Sequence, residues 1–351
     1  TLTYAFDFGD GTTVGPQASS SAQHTYSSAG TFTVTMTVTD TSGLSDSTTR
    51  SVTVSPAPTP PTARLTVSPT SGTAPVQVTA DASASTDPQG QTLTYAFDFG
   101  DGTTVGPQAS SSAQHTYSTA GTFTVTMTVT DSSGLSGSAT ATVSVNPAPA
   151  YVGRVAAASS ATASRTAVVT LTSPVEAGDV IVVSAQAGQG SRKKASATDS
   201  AGDLYSVALE QTDSTGAELS LLYTRASKAM AAGSTITVSF PTSTAYRITA
   251  DVLTGVTTLD RTSAATGRTS TFSSGTTKTT AVARELVFGV LGVTAGNGTA
   301  TWGSGWTDAG SYPVGTSLVG RASRATTATG TFTASGTTSG TWTAAVLTFR
   351  P

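Results

Sequence analysis

Thr1–Val54 and Thr92–Val145 are one segment written twice: fifty-four positions align without a gap and only seven differ. The offset of 91 residues is the size of one small β-sandwich with its linker. Two nearly identical segments must favour the same fold, so each copy constrains the reading of the other. Within each, alternation is strict. Phe32, Val34, Met36 and Val38 interleave with threonines, and so do Phe123, Val125, Met127 and Val129. A period of two over this length predicts a strand with one face turned to a core. Tyr4, Phe6 and Phe8 alternate in the same way before a Gly-Asp-Gly turn, as do Tyr95, Phe97 and Phe99. In that turn glycine supplies positive φ and the Asp carboxylate accepts backbone amides.

These residues carry a resemblance. FDFGDG, then HTY, then GTFTVTMTVTD and a following Ser-Gly-Leu resemble the PKD-type immunoglobulin-like domain, whose hallmark is WDFGDG, HTY and G-x-Y-x-V-x-L-x-V-x-D. Phe6 and Phe97 stand where the family has tryptophan, and Met36 and Met127 at a usual leucine position. Both changes keep a large apolar group. The resemblance implies immunoglobulin-like sandwiches that serve as extracellular spacers, adhesive modules or accessory domains of secreted bacterial enzymes. The expected organisation is a partial domain over 1–55, a Pro-rich linker over 56–62 and a complete domain over 63–146. RLTVSP (Arg64–Pro69) and APVQVTADAS (Ala74–Ser83) supply the first strands of the second copy, and the first copy has no counterpart to them. A second linker covers 147–150, and both Pro-rich runs predict semi-rigid spacers.

From Tyr151 the texture changes. AVVTLTS, DVIVVSAQ, LSLLYTRA, TITVSF, ITADVLTG, ELVFGVLGV and TAAVLTFRP read as strands separated by Gly/Ser/Thr turns, with no amphipathic helix. Seven to ten antiparallel strands over 151–351 predict a jelly-roll-like β-sandwich, so the whole chain is read as all-β. GDVIVVSAQ, TDSAGDLY and ELVFGV resemble a β-sandwich module found at the ends of bacterial secreted proteins, a likeness that names no activity.

Composition removes several classes of function. There is no cysteine, hence no disulfide, thiol nucleophile or cysteine metal site. No run of 18 apolar residues spans a membrane as a helix. The chain carries a net charge of −3 and lacks interleaved basic and aromatic runs, which argues against nucleic acid. Residues 1–150 hold nine acidic and two basic residues, and residues 151–351 hold eleven and fifteen. The first 150 residues have no lysine, so a Lys–Asn or Lys–Asp isopeptide bond cannot reinforce either repeat.

Candidate chemistry is sparse. His24 and His115 are the only histidines, at equivalent positions, and the resemblance places them structurally beside Tyr26 and Tyr117. It also implies a possible calcium site at Asp87 and Asp98, although carboxylates in Gly/Ser turns are common without metal. Asp199 and Asp203 flank a Ser-Ala-Gly turn, the ordinary place of Asp in a tight loop. Arg192, Lys193 and Lys194 form the one basic cluster, and Asn297-Gly-Thr the one N-glycosylation triplet. Trp302 and Trp306 in WGSGW either fill a sandwich core or stack on a glycan.

The expectation is a non-catalytic extracellular structural protein: a stalk or filament subunit of a bacterial surface or extracellular fibre. The strands that the first copy lacks are expected either from sequence upstream of Thr1 or from a neighbouring copy, which would join copies head to tail; no cofactor beyond possible calcium is expected. The alternative is a carbohydrate-binding accessory region of a secreted enzyme or adhesin, using Trp302 and Trp306.

Overall fold

A computed structural model describes residues 1–188, 194–295, 299–314 and 317–351. It divides into two compact units. One comprises Thr1–Ser68, Thr79–His115 and Thr124–Thr142, and the other Pro69–Val78, Thr116–Phe123 and Val143–Pro351.

The first copy is a single antiparallel sheet. Its strands are β1 (Thr3–Asp7), β2 (Thr13–Gln17), β3 (Gly30–Thr39) and β4 (Ser45–Val54), in the order β2-β1-β3-β4. The second copy adds β5 (Thr66–Ser68), β6 (Ser71–Thr73) and β7 (Val76–Asp81) before the repeated motif. It continues with β8 (Thr94–Asp98), β9 (Thr104–Gln108), β10 (Ser112–Tyr117), β11 (Gly121–Thr130) and β12 (Ser136–Asn146). Its larger sheet, β6-β12-β11-β8-β9, reproduces the first copy's order and gains β6 at the edge. Its smaller sheet is β10-β7-β5. SAQHTY shows what a partner does: Ser112–Tyr117 is strand β10 beside β7, whereas the identical residues 21–26 form no strand. Backbone groups adopt a strand only where a ladder receives them.

The region from Ala150 is two halves of the same plan. The first half holds β13 (Ala150–Thr170), β14 (Val180–Ala187), β15 (Ser196–Asp199), β16 (Ser206–Thr212), β17 (Glu218–Arg225) and β18 (Thr235–Thr254). Its sheet runs β13-β18-β14-β17-β16. The second half holds β19 (Thr258–Gly267), β20 (Thr271–Ser273), β21 (Leu286–Ala295) and β22 (Ala300–Trp302). It closes with β23 (Thr307–Val314), β24 (Ser317–Ala325), β25 (Ser335–Thr338) and β26 (Thr341–Arg350), and its sheet runs β19-β26-β21-β24-β23. In each half the first strand pairs with the last, and the remaining strands follow in the same succession.

The outer layers match too. Both ends of β13 and of β18 contribute to one core cluster, so these long strands fold back over their own sheet. The returning parts, with β15 paired to Ser196–Asp199's partners on β18, repeat the small sheet β20-β25-β22 of the second half. One half uses continuous strands where the other breaks them in two.

Between the halves the two five-stranded sheets stack face to face. Val180, Val182, Leu219, Leu221 and Leu253 meet Leu286, Phe288, Val290, Leu347 and Phe349. Because each central strand is covered on both faces, β14 is buried at all eight positions and β26 at every position but its last. That explains why DVIVVSAQ and ELVFGVLGV read as continuous apolar runs rather than alternating ones.

One ion pair interrupts this apolar contact. Arg321 Nε on β24 lies 3.0 Å from Asp251 Oδ1 on β18, with side chains 1% and 0% exposed. The Tyr151 hydroxyl donates to the same oxygen at 2.9 Å. Burial pushes the Asp251 carboxyl up to about 6, against the pull of Arg321 and the Tyr151 hydrogen bond. The folded protein therefore holds a proton between about pH 4 and 6 that the unfolded chain has lost. This group's contribution to stability is full below the unfolded pKa and is lost as pH rises through 6, a span of about 3 kcal/mol. Denaturant unfolding at pH 4.5 and 6.5 should show about 2 kcal/mol of that loss in the wild type, and a pH dependence smaller by that amount in Asp251→Asn.

Candidate interaction surfaces

The repeat is an internal control on exposure. Tyr95, Phe97, Val125, Met127 and Val129 are 0–8% exposed, yet their counterparts Tyr4, Phe6, Val34, Met36 and Val38 are only half-buried. At the end of the outer strand the contrast is wider, with Val52 37% exposed against 0% for Val143. Among the described residues no sheet like β10-β7-β5 covers the first copy. Within residues 1–55 the sheet face therefore carries no second layer.

The seven differences between the copies are not scattered. Five fall on β4, and register pairs Val34 with Arg50, Met36 with Thr48 and Val38 with Asp46. Directly opposite residues share a face, so Asp46, Thr48 and Arg50 border the open apolar patch. The second copy has Gly137, Ala139 and Ala141 there. Gly137 lies under the Pro61 carbonyl, which leaves no room for a Cβ. A side chain at position 46 leaves no room for the same approach, so the first copy's sheet face has a charged border instead.

The turn motif is structural in both copies. Asp98 Oδ1 accepts the Gly100 amide at 2.8 Å, and Asp7 Oδ1 the Gly9 amide at 2.9 Å. Gly100, at φ +76°, packs its Cα on the Thr124 carbonyl, so no other residue fits. His24 Nε2 and His115 Nε2 each lie 2.7 Å from the turn carboxylates Asp10 and Asp101. Each imidazole also stacks on Phe8 or Phe99, with ring centroids 4.5 Å apart. Burial alone raises Asp10 and Asp101, but Thr12 and Thr103 amides and the histidines hold both below the usual carboxylate range.

Asp87 and Asp98 each serve their own turn. Asp87 Oδ1 accepts the Gln89 and Gln91 amides at 2.9 and 2.8 Å, while its Oδ2 is buried without a hydrogen bond. Among the described residues no group of three His, Asp or Glu side chains gathers to hold a metal ion. Arg192, Lys193 and Asn297 lie outside the described residues; Lys194 lines a shallow groove with Glu210, Asp213 and Glu218.

Trp302 ends β22 and Trp306 precedes β23, across a turn with Gly305 at φ +82°. The equivalent turn of the first half is Asp199–Asp203, where Asp199 Oδ1 accepts the Ala201 and Asp203 amides, both at 3.0 Å. The two indoles are 5.7 Å apart and tilted by 38°, and both are half-buried. Their ring edges rest over Gly289, where a Cβ would lie 2.9 and 3.1 Å from them. They cap the cluster of Val287, Ala334 and Val346, and part of each ring is left outside with Phe332 and Arg324. Sequence reasoning reached these residues but not the open face's charged border, whose signal was the clustering of differences on one strand.

The comparisons follow the repeat. A PKD-domain family model matches residues 1–55 and again 58–146. The PKD1 domain of Epp from Vibrio anguillarum is 30% identical, with 25% of this chain and 96% of that one covered and a TM-score of 0.21. The PKD domain of an M14-like peptidase from a Thermoplasmatales archaeon is also 30% identical, over 25% and 98%, with a TM-score of 0.22. A Ca2+-stabilised adhesin with which an Antarctic bacterium binds ice is 13% identical, over 96% and 90%, with a TM-score of 0.26. No curated protein matches the chain. With both copies of the FDFGDG–HTY unit matched by the family model, residues 1–55 and 58–146 are two PKD-type domains of this chain.

Proposed function

We propose that this chain is a non-catalytic extracellular structural protein, a stalk or filament subunit of a bacterial surface or extracellular fibre. PKD and β-sandwich domains fit an extracellular structural or adhesive role. Among the described residues no helix is long and apolar enough to cross a membrane. In this reading the PKD domains act as spacers, and copies join where the first copy's face is completed, giving a homopolymer. What supports it is the tandem pair of PKD-type copies and, for the joining of copies, the sheet face of residues 1–55, whose apolar positions are partly exposed where those of the second copy are buried. An apolar sheet face of that kind favours burial against a partner. Electron microscopy of the purified chain at high concentration and moderate salt tests it. Regular filaments are expected, and monomers alone would exclude polymerisation.

A second reading rests on the half-exposed indoles. Trp306, with Phe332 and Arg324 beside it, offers an aromatic face and a hydrogen-bond donor, the pairing that suits a sugar ring. Trp306→Ala should abolish binding on a glycan array while the fold persists, if the carbohydrate reading holds. A calcium ion is proposed at Asp87 and Asp98 on the strength of the unpartnered Asp87 Oδ2. Calcium should then raise Tm in the wild type and leave Asp87→Asn unchanged; equal Tm with and without chelator rejects the site.

A further inference from the structure

The two halves of the C-terminal region share strand order and register, so positions in one have counterparts in the other. Val180 pairs with Leu253 and Arg225, as Leu286 pairs with Phe349 and Ala325. Following that register, Val182–Asp251 corresponds to Phe288–Leu347, and Ser184–Leu221 to Val290–Arg321. Tyr151, opposite Leu253, corresponds to Leu259, opposite Phe349. Asp251, Arg321 and Tyr151 are thus polar where their counterparts Leu347, Leu221 and Leu259 are all leucine.

Repeated halves pose a recognition problem. A sheet built to bury one face against its near-copy can bury it equally against the same sheet of a second molecule. Only three residues, Gly255–Thr257, join β18 to β19, and a short hinge between exchangeable elements invites swapping. Something must tell the halves apart.

We propose that the buried Asp251–Arg321 pair is the pairing code: it makes a first half accept only a second half. Were two first halves to pack together, each Asp251 would face leucine, because Arg321 belongs to the other half. Were two second halves to pack, each Arg321 would face leucine. Two second halves would leave Arg321 buried without a counter-charge, and two first halves would leave Asp251 with only the exposed Arg154 of its own half nearby, each a large penalty in a core. The correct pairing alone joins Arg321 Nε to Asp251 Oδ1 at 3.0 Å, with the Tyr151 hydroxyl on the same oxygen. A buried polar contact that sets register or partner choice is the best-attested use of such pairs.

Charge reversal tests this in the full chain. Arg321→Asp places two acids at the contact within one molecule, and Asp251→Arg places two arginines there. Each chain refolded alone should give little folded C-terminal region. Refolded together from denaturant, they can exchange halves so that both contacts regain one acid and one base. The expected product is a one-to-one heterodimer, resolved by light scattering and native mass spectrometry, with folded yield rising at least about tenfold over either chain alone. The double reversal D251R/R321D in one chain should refold as the wild type does. Reversed chains that fold alone as well as the wild type, or that give no heterodimer on mixing while D251R/R321D folds, would overturn the proposal. Failure of D251R/R321D itself would also overturn it, since the pair would then be fixed by its surroundings rather than by charge matching.

Discussion

Phe97→Ala should destabilise the second copy by about 3–5 kcal/mol, whereas Phe6→Ala, the same substitution in the first copy, should cost about 1 kcal/mol. The two side chains sit in identical local sequence, and only their cover differs. Phe97 is 1% exposed, so its removal opens a cavity that the surrounding sheet cannot refill. Phe6 is half-buried on an open face, so water can occupy the space its ring leaves. Urea unfolding read by hydrogen exchange at Val125 and Val34 reports the two copies separately. Equal costs at a concentration where the chain is monomeric would mean that the first copy's face is already covered within the single chain.

The second large effect concerns the contact between the halves. Asp251→Leu alone should lower stability by about 3–5 kcal/mol, because Arg321 is then left charged, buried and unpaired. Asp251→Leu with Arg321→Leu should restore most of that loss, since it supplies the leucines already present at the counterpart positions. The difference between the single and double variants, read by denaturant unfolding, measures how far the charge matters beyond its volume. A single variant no less stable than the double would mean that water reaches Arg321.

What the sequence disclosed follows the distance over which each signal acts. The repeat copies were legible because one-sided burial writes itself as alternation, as in Val34-Thr35-Met36-Thr37-Val38. The turns were legible from Asp and Gly alone. The duplication after Ala150 was not, because its evidence is pairing register, not identity. Strands covered on both faces, such as Val180–Ala187, carry no period to mark which residue meets which sheet. The long strands β13 and β18 hid it further, being continuous where β20 and β25 are separate. Asp251 and Arg321 lie seventy residues apart in unremarkable apolar runs, and only the stacked sheets bring them together. The site residues show the same limit. Trp302 and Trp306 stood out by type, but their division between core and surface depends on Gly289 beneath them.

The proposed joining of copies places the contact on the uncovered sheet face of the first copy. Amide hydrogen exchange at Tyr4–Phe8 and Val34–Val38, followed across a wide range of protein concentration, tests that most directly. The second copy's Tyr95–Phe99 and Val125–Val129 serve as the reference within the same molecule. Protection of the first set should climb with concentration toward that of the second, and Met36→Asp should hold it at the dilute value. First-copy protection that stays low at every concentration, while the chain forms filaments, would place the contact elsewhere and contradict the account.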